Sequence, residues 1–218
     1  MVVLIGTWET GHPRWALSAA EPSSVQPHPM IHLVVWGAPH AIVVRYVESA
    51  LSPAANDYWA TLRQYGVAKS PRLIRPIIRI AEPPRSLTQV LAWVRHRAGS
   101  HPNRNTQYLV LAGGGAWTGG YVPGMGNASG KHFWDADVAV DVVAGAGVIT
   151  AIHEIAEAAT DPRVGSGWIG PGGQEVADRC ETTPGGLIVA NNSLAGRTTA
   201  FFVPVPSLWN QVGNKCVR

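Results

Sequence analysis

Residues 150–162 read T-A-I-H-E-I-A-E-A-A-T-D-P and place His153, Glu154 and Glu157 on one short helix. A histidine and a glutamate four residues apart lie one turn apart on the same face. Both therefore reach one cation, and Glu154 stands beside them within reach of that cation's water. In the pattern H-E-x-x-H two neutral imidazoles hold zinc and the glutamate takes a proton from the bound water. Here a carboxylate replaces the second imidazole. The added negative charge leaves the water less acidic and makes the site friendlier to hard ions such as Ca2+.

A catalytic zinc takes three protein ligands and keeps one position open. With His153 and Glu157 supplying two, Glu175 is the expected third, on the analogy of zincins in which a downstream glutamate completes the ligand set, and because the P-G-G turn at 171–173 lets the chain fold back toward the helix. Asp161, one turn further along the same face, is a rival, although T-D-P is also ordinary helix-stop chemistry. Asp178 is the other rival, or else holds the His153 ring from behind. Glu154 is the expected general base. The oxyanion formed on hydrolysis needs a donor, and His132 or a backbone amide from residues 113–120 would serve. His132 also reads as a plain surface histidine.

The same helix fits an ordinary amphipathic pattern. Ile152, Ile155, Ala156 and Ala159 recur at helical spacing, which leaves His153, Glu154, Glu157 and Asp161 on the face where solvent usually lies. The distribution of charge favours a bound cation. The chain carries 17 Lys+Arg against 14 Asp+Glu, yet Glu154, Glu157, Asp161, Glu175, Asp178 and Glu181 share one short segment with only Arg163 and Arg179.

The elements that must position these groups follow from composition and periodicity. At 218 residues, 46% hydrophobic and 14% charged, the chain suits one well-buried domain. Residues 1–29 lack periodicity and read as an extended arm or linker, with the domain over 30–218. Residues 30–36 read as a buried strand, followed by a helix with Ile42, Tyr46 and Ser49 on one face. A second helix spans 57–65 with Tyr58, Leu62 and Tyr65 aligned and Gly66 as its stop. Residues 73–80 form a strand that Pro76 pushes to an edge or bulge. Ser86 caps a helix whose stripe is Leu87, Val90, Leu91 and Val94. Residues 107–111 are a strand, and the glycine-rich run after it reads as a flap or rim. Residues 135–142 alternate as a half-exposed strand leading into the His153 helix, where an extended substrate backbone would pair. Short strands at 186–190 and 199–205 complete an α/β or α+β domain, a mixed sheet packed against helices.

Several function classes recede on this reading. No apolar run approaches the ~20 residues of a membrane span. The basic residues Arg63, Lys69, Arg72, Arg75, Arg79, Arg85, Arg95, Arg97 and Arg104 are spread over several elements with no nucleic-acid motif to organise them. The opening M-V-V-L-I-G-T-W-E-T has no basic n-region and does not read as an intact export signal, which keeps a cytoplasmic location in play. Cys180 and Cys216, the only cysteines, fit either two buried thiols or one disulfide.

The landmarks H-E-I-A-E-A-A-T-D-P, G-W at 167–168, G-G-Q-E-V-A-D-R-C ending at Cys180 and S-L-W-N-Q-V-G-N-K-C ending at Cys216 together resemble bacterial relatives of the Exordium-like, phosphate-induced protein family. That family is zincin-like. The resemblance is strongest over about residues 149–216, and the strands at 31–37 and 105–111 extend it upstream. It implies a zincin-like domain over 30–218, a secreted or surface protein, and a metallopeptidase-like helix carrying His153, Glu154 and Glu157. It also implies that Glu175 and Asp178 match the family's acidic loop and that Cys180 and Cys216 are paired. The chain departs from the pattern at 130–134, G-K-H-F-W, which keeps the histidine, His132, but has no cysteine. The expected activity is hydrolysis of a peptide or protein substrate with Zn2+. The competing expectation is a non-catalytic binding or signalling module on the same scaffold, with a structural metal, Ca2+ or none.

Overall fold

The computed structural model describes residues 25–39, 41–100, 102–117, 130–145, 147–181, 187–191 and 202–217. Its centre is a five-stranded mixed sheet in the order β2 (Arg72–Ile80), β1 (Met30–Trp36), β3 (Thr106–Ala112), β5 (Val138–Ala144), β4 (Gly130–Asp135). The first four are parallel and β4 runs antiparallel to β5. Between β1 and β2 lie α1 (Ala41–Ala50) and α2 (Asn56–Trp59), the latter continued by a tighter turn over Ala60–Tyr65 that Gly66 ends at φ +96°. α3 (Leu87–Ala98) precedes β3, and its Ser86 cap accepts from the Gln89 amide at 3.2 Å. α4 (Val148–Thr160) carries the motif and follows β5 directly. α5 (Asp178–Glu181), the hairpin β6 (Leu187–Asn191)–β7 (Phe202–Pro206) and the small hairpin β8 (Leu208–Asn210)–β9 (Lys215–Val217) complete the described chain.

Two apolar layers result, one on each face of the sheet, because strand side chains alternate. Ile31, Leu33, Val35, Leu109, Leu111 and Val143 face α1 and α4. Val34, Val110, Val138, Val140 and Val142 face α3, whose Val90 and Val94 are fully buried. The buried stripe of α1 is Val43, Val44, Val47 and Ala50. On the face through Ile42, Tyr46 and Ser49, Tyr46 packs partly against this layer while Ile42 is exposed. β2 is an edge strand, and its register against β1 slips between His32 and Val34, opposite Pro76. Gln26 is buried, with its amide donating to the Ala159 carbonyl at 2.8 Å, so the chain is already docked four residues before β1. The arm proper, residues 1–24, and most of the glycine-rich flap, residues 118–129, lie outside the described residues.

The half-exposed strand expected over 135–142 is corrected. The chain reverses at Ala136 and Asp137, with φ of +51° and +58°, and yields two strands in place of one. β5 is interior and buried along its whole length, and the outer edge belongs to β4. Period-two alternation does hold in β5, but the face bearing Asp141 is covered by α4 instead of water.

Cys180 and Cys216 are joined, and among the described residues no free cysteine occurs. The bridge spans 36 residues of sequence and restricts the unfolded chain by about 4 kcal/mol on the chain-entropy model. It fastens α5, and with it the loop bearing Glu175 and Asp178, to the terminal hairpin. Arg179 stacks 4.0 Å above the Trp209 ring and Trp209 donates its amide to the Val176 carbonyl at 2.9 Å, so the same loop is held from both sides. No helix among the described residues is long and apolar enough to cross a membrane.

Candidate metal centre

α4 lies between the sheet and the chain that follows it. The expected stripe of Ile152, Ile155, Ala156 and Ala159 is fully buried. The opposite face is buried too: His153, Glu154 and Glu157 are only 7%, 5% and 3% exposed, which removes the solvated-face reading. Ionisable groups sit there only if they are paired or hold a cation.

The groups are brought together by three segments. From α4, His153 Nε2 stands 2.9 Å from Glu157 Oε1. From the start of α5, Asp178 Oδ1 stands 3.3 Å from the same nitrogen, and the Asp178 amide donates to Glu157 Oε1 at 3.1 Å. From β4, His132 turns toward α4. Its Nδ1 is 3.7 Å from Glu154 Oε2 and 3.9 Å from Glu157 Oε2, and its Nε2 is 3.3 Å from Glu175 Oε1. His132 is thus a buried member of the cluster, not a surface histidine.

Close approach of β4 and α4 depends on Gly130. A Cβ there would stand 2.3 Å from Thr150 Cγ2 and 2.7 Å from Glu154 Oε1, so glycine lets the edge strand lie directly against the motif helix.

Two sets of three residues have donor atoms all within 4.8 Å of one another: His153, Glu157 and Asp178; and His132, Glu157 and Glu175. Adjacent donors of a tetrahedral zinc with bonds of ~2.0 Å stand roughly 3.3 Å apart, the scale of these separations. Glu175, expected beside His153, converges on His132; Asp178 takes the place beside His153. Asp161 has another task. It is fully buried, and its carboxylate accepts from the amides of Gly165 at 2.6 Å, Ser166 at 2.9 Å and Gly167 at 2.5 Å. Its carbonyl accepts from His132 Nε2 at 3.1 Å, which fixes the orientation of that ring. Asp161 therefore organises the loop and the histidine while its own oxygens are consumed.

Asp141 joins the site without a spacing in the sequence that marks it. It is fully buried, pairs across the sheet with His132 and faces α4. Oδ1 has no hydrogen-bond partner among the described residues, and Glu175 Oε1 has none either. Oδ2 meets the Gln107 side-chain amide at 3.2 Å when its nitrogen is turned that way. The available signal was the run V-A-V-D-V-V-A, a single acid inside a continuous apolar strand.

Burial opposes the charge on His132, but the hydrogen bond to Glu154 and the charges of Glu175, Asp141 and Glu154 outweigh it and raise the ring to about 9. His153 is likewise raised well above its usual range, burial being outweighed by hydrogen bonds to Asp178 and Glu157. Burial raises Glu157 against the pull of His153, and raises Glu175 to about 8 with help from Glu157, Asp161 and Asp178 against His132. Burial also holds Asp141 well above the carboxylate range. Asp178 is lowered, chiefly by its hydrogen bond to His153.

Metal ligation requires these protons to leave. The metal-free chain holds protons on His153, raised well above its usual range, and on Glu157, raised by burial, so zinc affinity should be weaker at pH 6 than at pH 8. Each proton expelled contributes about tenfold per pH unit. Calorimetry of zinc uptake in buffers of different ionisation heat counts those protons, and uptake without proton release at pH 7 would contradict the expectation.

No family model matches the chain, and no curated protein or solved structure matches it.

Proposed function

We propose that this protein is a zinc-dependent hydrolase with a zincin-like arrangement that cleaves peptide bonds, as the Exordium-like resemblance implies. The observation that carries the reading is the convergence of His153, Glu157 and Asp178 on one point beside the buried carboxylate of Glu154. In this reading those three hold the ion, with Asp178 in the role first expected of Glu175. Bound zinc would supply a polarised carbonyl and an acidic water. Glu154 takes the water's proton and returns it to the leaving amine. His132 lies 3.7 Å from Glu154 and, carrying a proton, donates to the oxyanion. An extended peptide pairs along the free edge of β4, which no other described strand covers. The Cys180–Cys216 bridge supports an oxidising location, outside the cytosol.

Glu154→Gln tests the assignment. The variant should keep its zinc while turnover of a peptide library falls by about 10²–10⁴-fold, the usual contribution of a positioned base. Full activity in that variant would overturn the role of Glu154.

A second reading draws on the burial of the ligands, which suits a structural metal in a binding module. It predicts zinc uptake and a chelator-sensitive melting temperature with no hydrolysis in either the parent or the variant.

A further inference from the structure

We infer that the cluster holds two divalent cations, bridged by the carboxylate of Glu157: one between His153 and Asp178, the other between His132 and Glu175. The inference rests on the metal reading above and goes beyond its single ion; with the second ion bound, that ion takes over from the His132 proton as the group that would face the oxyanion. Among the described residues two ligand sets form, and Glu157 is the one residue in both. Its oxygens serve opposite sides, Oε1 standing 2.9 Å from His153 Nε2 and Oε2 standing 3.9 Å from His132 Nδ1. A carboxylate used in this way holds two ions about 3.5–4 Å apart, the spacing of two-metal hydrolytic sites.

Charge supports the second ion. Glu154, Glu157, Glu175 and Asp178 bring four carboxylates to one focus, of which Glu154 and Glu157 are almost fully buried. One divalent cation offsets half of that charge, whereas two offset all of it in a setting where uncompensated charge costs several kcal/mol. Independent of the acid count, the fully buried Asp141, the cross-strand partner of His132, has an oxygen, Oδ1, without a hydrogen-bond partner among the described residues. Buried polar atoms are satisfied in nearly every case, and a cation beside His132 would supply what this oxygen lacks. One imidazole with carboxylates on each side selects Zn2+, Co2+ or Mn2+ over Ca2+, which prefers oxygen alone.

The test uses the full chain stripped with chelator, its fold verified by circular dichroism, and titrated with Co2+ and then Mn2+. Two equivalents should bind the parent, and the Mn2+-loaded protein should show the exchange-coupled resonance of a bridged pair. His132→Ala and Glu175→Gln should each drop the count to one and abolish the coupling, and Asp178→Ala should do the same from the other side. Parent stoichiometry and coupling decide the matter even if a variant fails to fold. One equivalent in the parent, or two without coupling, overturns the bridged pair and leaves the single-ion reading standing. No uptake at all overturns both.

Discussion

Glu157→Ala is expected to lower zinc affinity by about 10³-fold, the largest single loss among the ligand variants. Glu157 is the one side chain shared by both ligand sets, and it is 3% exposed. Removing it leaves His153 without its partner at 2.9 Å and takes the acceptor away from the Asp178 amide at 3.1 Å. Breaking a buried charged pair costs roughly 3–5 kcal/mol, and each 1.4 kcal/mol is about tenfold in affinity. Glu157→Gln separates charge from shape, since the amide still fits and still accepts from Asp178 but brings no charge to the ion. Competition with a chromogenic chelator measures both variants. Parent-like affinity in Glu157→Gln would remove Glu157 from the ligand set.

Asp161→Ala should destabilise the fold by about 3–5 kcal/mol while leaving the ligands intact. Three amides, from Gly165, Ser166 and Gly167, lose a charged acceptor, and a hydrogen bond to a charged group contributes about 1.5–3 kcal/mol net, the lower end applying here because water reaches these residues. The loop also carries Gly167 into Trp168, which packs edge-on against Tyr65 and donates to Gln211, so its release loosens the contact with the terminal hairpin. Urea unfolding gives the size of the effect. Because Asp161 acts through the loop and not as a ligand, the folded fraction should still take up zinc. A variant of parental stability that has lost its metal would show that Asp161 is a ligand.

The motif on α4 is legible because helical geometry is local: a spacing of four places His153 and Glu157 together whatever the rest of the chain does. The Ser86 cap, the stop at Gly66 and the edge placement of the Pro76 strand are local in the same sense. The bridge between Cys180 and Cys216 follows the family resemblance, since two cysteines 36 residues apart fit a thiol pair equally well. His132 is different in kind. Its place in the cluster is made by the packing of β4 on α4 across Gly130, a tertiary contact that no spacing encodes. The choice between Glu175 and Asp178 turns on a three-residue difference within an irregular loop whose path is set by the turn near Gly170 and by the start of α5.

Asp141 illustrates how a correct periodicity misleads. Residues 135–142 do alternate, but alternation reports only which side chains share a face, and here the polar face is roofed by a helix. The reversal at Ala136 and Asp137 was hidden for a related reason. Left-handed positions are usually marked by glycine or asparagine, and an alanine there carries no such mark. On α1, Ile42 and the adjacent valines are equally apolar, so composition does not choose between Ile42 and Val43 as the buried position, and packing chose Val43.

X-ray diffraction at energies above and below the zinc edge, on crystals of protein purified without chelator, locates the ion itself. An anomalous peak is expected at about 2.0–2.2 Å from His153 Nε2 and from oxygens of Glu157 and Asp178. If zinc-soaked crystals show no peak there, with His153 still bonded directly to Glu157, the metal centre is contradicted.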